Sequence, residues 1–187
     1  MRSTEPALHR RSRIKKESKM TLDEKITTLT DQQALSIVDS LAGEFVADDI
    51  PQGGNEQAEA LASILEAELQ PTDSNALLQA DATATAQSAR ELLKVMADVP
   101  EMRESLDYWL DHPPVQETAA IPLLLAVPVV LTGCIALLTV VGNTHIHRNE
   151  NGKWVIDYDP TGNTPMNKNI VKILKVLAGS THGKGIA

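Results

Sequence analysis

Several common ingredients are scarce in this chain. One cysteine, Cys134, stands among 187 residues. No disulfide can close within the chain, and no zinc site that draws two or four thiolates from one chain can form. Five residues are aromatic: Phe45, Tyr108, Trp109, Trp154 and Tyr158. That is too few for the stacking platforms that hold single-stranded nucleic acid, so nucleic acid is not an expected partner. There is no phosphate-cradling glycine loop with its lysine, no GxSxG and no HExxH. The usual signatures of nucleotide hydrolysis, serine-hydrolase and zinc-protease chemistry are therefore missing. The opening residues hold no apolar run of the kind a secretory signal needs. Residues 119–142 contain no Asp, Glu, Lys, Arg or His.

What is present begins with enough apolar mass for a core. Leu, Ile, Val and Phe make up 48 of the 187 residues, above the range of disordered chains. The net charge of −8 is unevenly laid out. Residues 1–19 carry +5, residues 20–118 carry −16, and residues 143–187 carry +3. The long acidic segment repels phosphate and anionic lipid, so contacts with anions fall to the two ends. The arm at residues 1–29 is expected to be disordered, with Arg10, Arg11, Arg13, Lys15 and Lys16 as a solvated basic tail. Met20 is an alternative initiator.

Residues 30–118 read as four amphipathic helices. Thr30 with Gln33 forms a capping box ahead of a helix to about Gly43, with Ala34, Val38, Leu41 and Phe45 as its apolar stripe. A loop at residues 48–55 leads to a second helix over 56–69, ended by Pro71. Asp73 or Ser74 caps one long helix to about Val99, whose middle is small residues. Pro100 opens the fourth, with Met102, Leu106, Trp109 and Leu110 as its apolar face, stopped at His112-Pro113-Pro114.

The segment from Ala119 to Val141, AAIPLLLAVPVVLTGCIALLTVV, is the most informative in the chain. A helix of about 20 residues spans roughly 30 Å, enough to cross a bilayer. Ile121, Leu125, Val130, Leu137 and Val141 mark this expected membrane segment, with Pro128 as an interior kink. The competing expectation is a helix buried all round by the amphipathic ones. The basic flank lies C-terminal to the run, which disagrees with the orientation that a cytoplasmic N-terminal part requires.

Residues 144–159 read as a β-hairpin around Glu150-Asn151-Gly152, pairing Arg148 with Trp154 and Ile146 with Ile156. This places Ile146, Trp154, Ile156 and Tyr158 on one face and His145, His147, Val155 and Asp157 on the other. His145, His147 and Asp157 are the candidate metal ligands. Three groups on an open strand face make a loose set, and the expectation is that they hold no metal. No cofactor is expected. Cys134 lies inside the apolar run and makes a poor nucleophile, so no catalytic residue is nominated. A last helix over 165–178 carries Met166, Ile170, Ile173, Leu174 and Leu177 inward. Its Lys168, Lys172 and Lys175 are candidates for contact with an anionic surface.

The expected fold is thus mainly α: amphipathic helices around or beside one strongly apolar helix, then a small hairpin and a basic helix. In layout alone it looks like proteins that store a membrane-inserting helix in a soluble bundle, such as pore-forming colicin domains, and no residue carries over from that likeness. The expected function is non-enzymatic: a membrane-anchored or membrane-inserting protein, single-pass or peripheral, whose acidic helices bind a protein partner or self-associate. The alternative is a cytoplasmic helical interaction or regulatory module with residues 119–141 as its core.

Overall fold

Threonine hydroxyls start the first two helices. Thr21 and Thr30 lie in extended backbone and each accepts from the N–H three residues on, while Glu24 and Gln33 accept from the threonine N–H in return. These capping boxes open α1 (Leu22–Thr28) and α2 (Asp31–Phe45). The second agrees with expectation. The first is a correction: the expected arm at residues 1–29 is too long, because residues 22–28 are helical and bury Ile26. The computed structural model describes residues 20–46, 53–68, 74–114, 123–141, 144–158 and 165–179, without the side chains of 63, 65–68, 123–125, 144, 145, 158 and 165–167. The expected basic tail and loop residues 48–52 lie outside these.

After α3 (Gly54–Glu68), the long helix expected over 74–99 is found in two pieces, α4 (Ser74–Leu78) and α5 (Ala82–Ala97). Asp81 explains the break. Its backbone is extended and its carboxylate accepts from Ala84 N–H at 2.8 Å, so it caps a new helix where the apolar spacing alone suggests continuation. α6 (Pro100–Asp111) starts on Pro100, where the missing N–H costs nothing. Then come α7 (Leu123–Val141), strands β1 (Thr144–Arg148) and β2 (Trp154–Tyr158), and α8 (Pro165–Gly179).

The described residues form a mainly helical bundle with one small antiparallel hairpin. α7 packs against α2, α3 and α5, α8 covers α4 and α5, and the hairpin lies on α3. Leu41 from α2, Leu61 from α3, Leu92 and Met96 from α5, and Leu131 and Leu137 from α7 meet in one continuous core. Polar ties hold the outer helices to it. Arg90 Nη2 donates to Leu29 O at 2.9 Å and to the Asp31 carboxylate, joining α5 to the α1–α2 corner. Trp109 Nε1 donates to Glu44 Oε1 at 2.7 Å, joining α6 to α2.

The hairpin pairs Arg148 with Trp154 and Ile146 with Ile156, as the alternation and loop chemistry require. Gly152 has φ +74°, the left-handed conformation in which a β-carbon is disfavoured. Asn149 Oδ1 accepts from the N–H groups of Asn151 and Lys153 and braces the loop. Ile156 is buried, Ile146 and Trp154 are partly buried against the core, and His147 and Asp157 are exposed.

Candidate functional site

Two surfaces and one interior element hold the residues that the sequence singles out. The interior element is α7. Gly133 is a point of close approach: a β-carbon there would lie 2.6 Å from Val38 Cγ1 and 2.7 Å from Leu92 Cδ2, so only glycine lets α2 and α5 sit this near. Five residues earlier, Pro128 removes the N–H that would donate to the carbonyl four residues back. Thr132 Oγ1 donates to Pro128 O at 2.9 Å and accepts from Gln57 Nε2 at 2.9 Å. The proline turn is therefore tied to α3 by a part-buried polar chain. Cys134 is fully buried, and loss of solvation pushes its thiol pKa up to about 12, which leaves it inert as a nucleophile.

Of the membrane-segment residues, Val130 and Leu137 are fully enclosed by neighbouring helices and Val141 is partly buried. Leu125 belongs to α7 with its side chain outside the described residues, and Ile121 lies wholly outside them. Among the described residues, no helix is long and apolar enough to cross a membrane.

On the hairpin, His147 Nδ1 lies 3.5 Å from Asp157 Oδ2, a pair open to solvent. His145 stands opposite Asp157 in the backbone register, with its side chain outside the described residues. Among the described residues, no group of three or more His, Cys, Asp and Glu side chains is placed to hold a metal ion. Beside the pair, Arg148 lies 4.9 Å over the Trp154 ring and 3.2 Å from Glu56 Oε1, which fastens the hairpin to α3.

On α8, Lys168, Lys172 and Lys175 are all exposed. Lys172 and Lys175 turn toward α5 and line a cleft with it, whereas Lys168 does not take part. The three follow helical spacing along one side of α8, and the cleft takes the two nearer its C-terminal end.

Three features have no counterpart in the sequence pattern described above. Lys25 Nζ donates to Asp107 Oδ1 at 2.8 Å and to Asp111 Oδ1 at 2.6 Å, clamping α1 on α6. These hydrogen bonds to carboxylates raise the Lys25 pKa above the ordinary 10.5. Next, Tyr108 projects from α6 at 56% exposure, stacked on His112 with ring centres 4.9 Å apart and edge-on to Trp109 at 5.2 Å. Acidic side chains surround it on the same helix: Glu101, Glu104 and Asp111 are exposed. The third is Ser88, at the base of the α5–α8 cleft. Helical spacing places Tyr108 beside Glu104 and Asp111, so that cluster was open to sequence reasoning. The Lys25 clamp, which spans more than eighty residues of chain, had no such signal.

Comparison with known proteins finds no matching family model, no similar curated protein and no similar solved structure.

Proposed function

We propose that this protein is a non-enzymatic helical interaction module in which the apolar run is the internal strut and the acidic helices present the partner-binding surface. The observation that carries the reading is the enclosure of α7: Val130, Leu131, Cys134, Ile135 and Leu137 are fully buried, and Gly133 admits α2 and α5 to contact. A helix so used spends its apolar surface inside the bundle. The partner-facing surface is the outer face of α6, where exposed Tyr108 shares a helix face with Glu101 and Glu104, while Asp111 beyond it is engaged by Lys25. An aromatic ring bordered by carboxylates suits a basic partner segment, whose Arg or Lys side chains meet both the ring and the charges.

The test is sedimentation of the purified full chain without detergent, with and without liposomes. The expected outcome is a folded, monodisperse species that stays in the supernatant and does not float with vesicles. Recovery in a membrane pellet that resists carbonate and high salt would overturn the reading. It would favour the second one, insertion of residues 119–141 into a bilayer, which the absence of charge from α7 supports. That reading requires α2 and α5 to release α7, and so predicts a large change in tryptophan fluorescence on addition of vesicles.

A further inference from the structure

Between α5 and α8 a cleft of about 620 Å³ opens to the surface, a size that small-molecule sites commonly have. Its floor is Val95, Ile173 and Ser88, all buried. Ser88 is 1% exposed, and its Oγ has no hydrogen-bond partner among the described residues. Buried hydroxyls are nearly always satisfied, so a bare one at the base of a cleft is a place where a ligand atom belongs.

The walls differ in sign. Lys172 and Lys175 stand on the α8 side together with Val176, and neither lysine makes an ion pair among the described residues. Asp23 of α1 and Asp98 at the end of α5 stand on the other side, also without an ion pair there. Glu91 and Lys94 neutralise each other at 2.7 Å. The cleft therefore keeps two ammonium and two carboxylate groups that do not close on one another across it. A lone anion entering it gains the lysines and is opposed by Asp23 and Asp98, and a lone cation meets the reverse. A ligand with both signs gains on both walls.

We propose that this cleft binds a small zwitterionic amphiphile. Its anionic group sits at Lys172 and Lys175, its cationic group at Asp23 and Asp98, and its apolar part over Val95, Ile173 and Val176, with one polar atom on Ser88 Oγ. The site lies apart from the α6 surface, so it stands or falls independently of the partner proposed above.

The experiment titrates the full chain with monomeric decylphosphocholine, sodium decanoate and decyltrimethylammonium, three ten-carbon tails that differ in head-group charge, following backbone amide shifts. Decylphosphocholine is expected to saturate a single site whose shifts map to α5 and α8, about fivefold tighter than either singly charged probe, as one partly exposed charge pair allows. Lys172→Gln with Lys175→Gln should weaken decylphosphocholine and decanoate and spare decyltrimethylammonium. Asp23→Asn with Asp98→Asn should weaken decylphosphocholine and decyltrimethylammonium and spare decanoate. Val176→Trp, at an exposed wall position, should abolish all three with an unchanged circular dichroism spectrum. Equal affinity for the three probes, shifts that map elsewhere, or no saturable binding would overturn the proposal.

Discussion

At the residue scale, two glycines of helical segments make opposite demands. Gly133 has Val38 Cγ1 and Leu92 Cδ2 where a β-carbon would go, at 2.6 and 2.7 Å, and both belong to buried, tightly packed side chains. Gly133→Ala should cost about 1–3 kcal/mol, the usual penalty of overpacking a core, measured by urea unfolding. Val38→Ala in the same chain should recover part of that loss, since it vacates the clashing position. Gly43, near the end of α2, has nothing within 4 Å of the place a β-carbon would take. Gly43→Ala should therefore stabilise by roughly 0.5–1 kcal/mol through the lower entropy of the unfolded chain. A neutral or stabilising Gly133→Ala would mean that α2 and α5 do not approach α7 this closely. Cys134 reports on the same seat. With its thiol buried and its pKa pushed up to about 12, reaction with an aromatic disulfide reagent at neutral pH should be slow and should track global unfolding as denaturant is raised.

At the element scale, what was legible in the sequence follows from how local the determining interaction is. Thr30 with Gln33 and Pro100 mark the starts of α2 and α6 through contacts within three residues. The hairpin register was legible because Gly152 sets the loop and the strand alternation sets the faces. The capping box of Thr21 and Glu24 was equally local, yet α1 buries only Ile26, so no apolar period drew attention to it. Asp81 was ambiguous for a physical reason: an acid among alanines and threonines reads equally as the polar side of a long helix or the cap of a new one. The Lys25 clamp and the α5–α8 cleft needed the tertiary fold.

Two predictions belong to this scale. Gly152→Ala should destabilise by more than about 1 kcal/mol because its φ of +74° disfavours a β-carbon; a neutral result would reject the turn. For α1, the Lys25 pKa is raised by its bonds to Asp107 and Asp111. A raised folded-state pKa means that the lysine's contribution is fully present below its ordinary 10.5 and is lost as pH climbs through the folded value. Hydrogen exchange, corrected for its intrinsic rise with pH, should show the Ile26 and Lys25 amides losing protection first above that range. Lys25→Gln should show the same loss at neutral pH. Unchanged protection in the variant would mean that Leu22 and Ile26 alone hold α1 in place.

At the scale of the whole molecule, the question is why so apolar a helix as α7 carries two polar devices. In a bilayer, a proline break is tolerated when neighbours satisfy the freed groups. Here α3 lies beside the proline and is joined to its turn: Gln57 reaches Thr132, which in turn bonds Pro128 O. Gly54, at the start of α3, leaves its space to Pro128, whose Cγ would lie 3.2 Å from a β-carbon placed there. The Pro128 turn of α7 and the start of α3 are thus matched in shape and joined by hydrogen bonds, which ties the proline to the enclosed arrangement. Leu137→Arg separates the two readings of α7. Leu137 is fully buried in the bundle, so an arginine there brings an unpaired charge into the core. Losing one partner of a buried pair costs about 3–5 kcal/mol, and an unpaired arginine also has to displace packed side chains. Against a total stability of roughly 5–15 kcal/mol, the variant should lose its cooperative thermal transition, become open to trypsin throughout, and do so equally with and without vesicles. A bilayer-inserted helix would pay about 2.5–3.5 kcal/mol for the same central arginine, leave the membrane fraction, and keep a folded acidic bundle. Circular dichroism and limited proteolysis of the variant after flotation distinguish these outcomes: retention of protected α2 and α5 fragments would show that the bundle does not depend on α7 as its core.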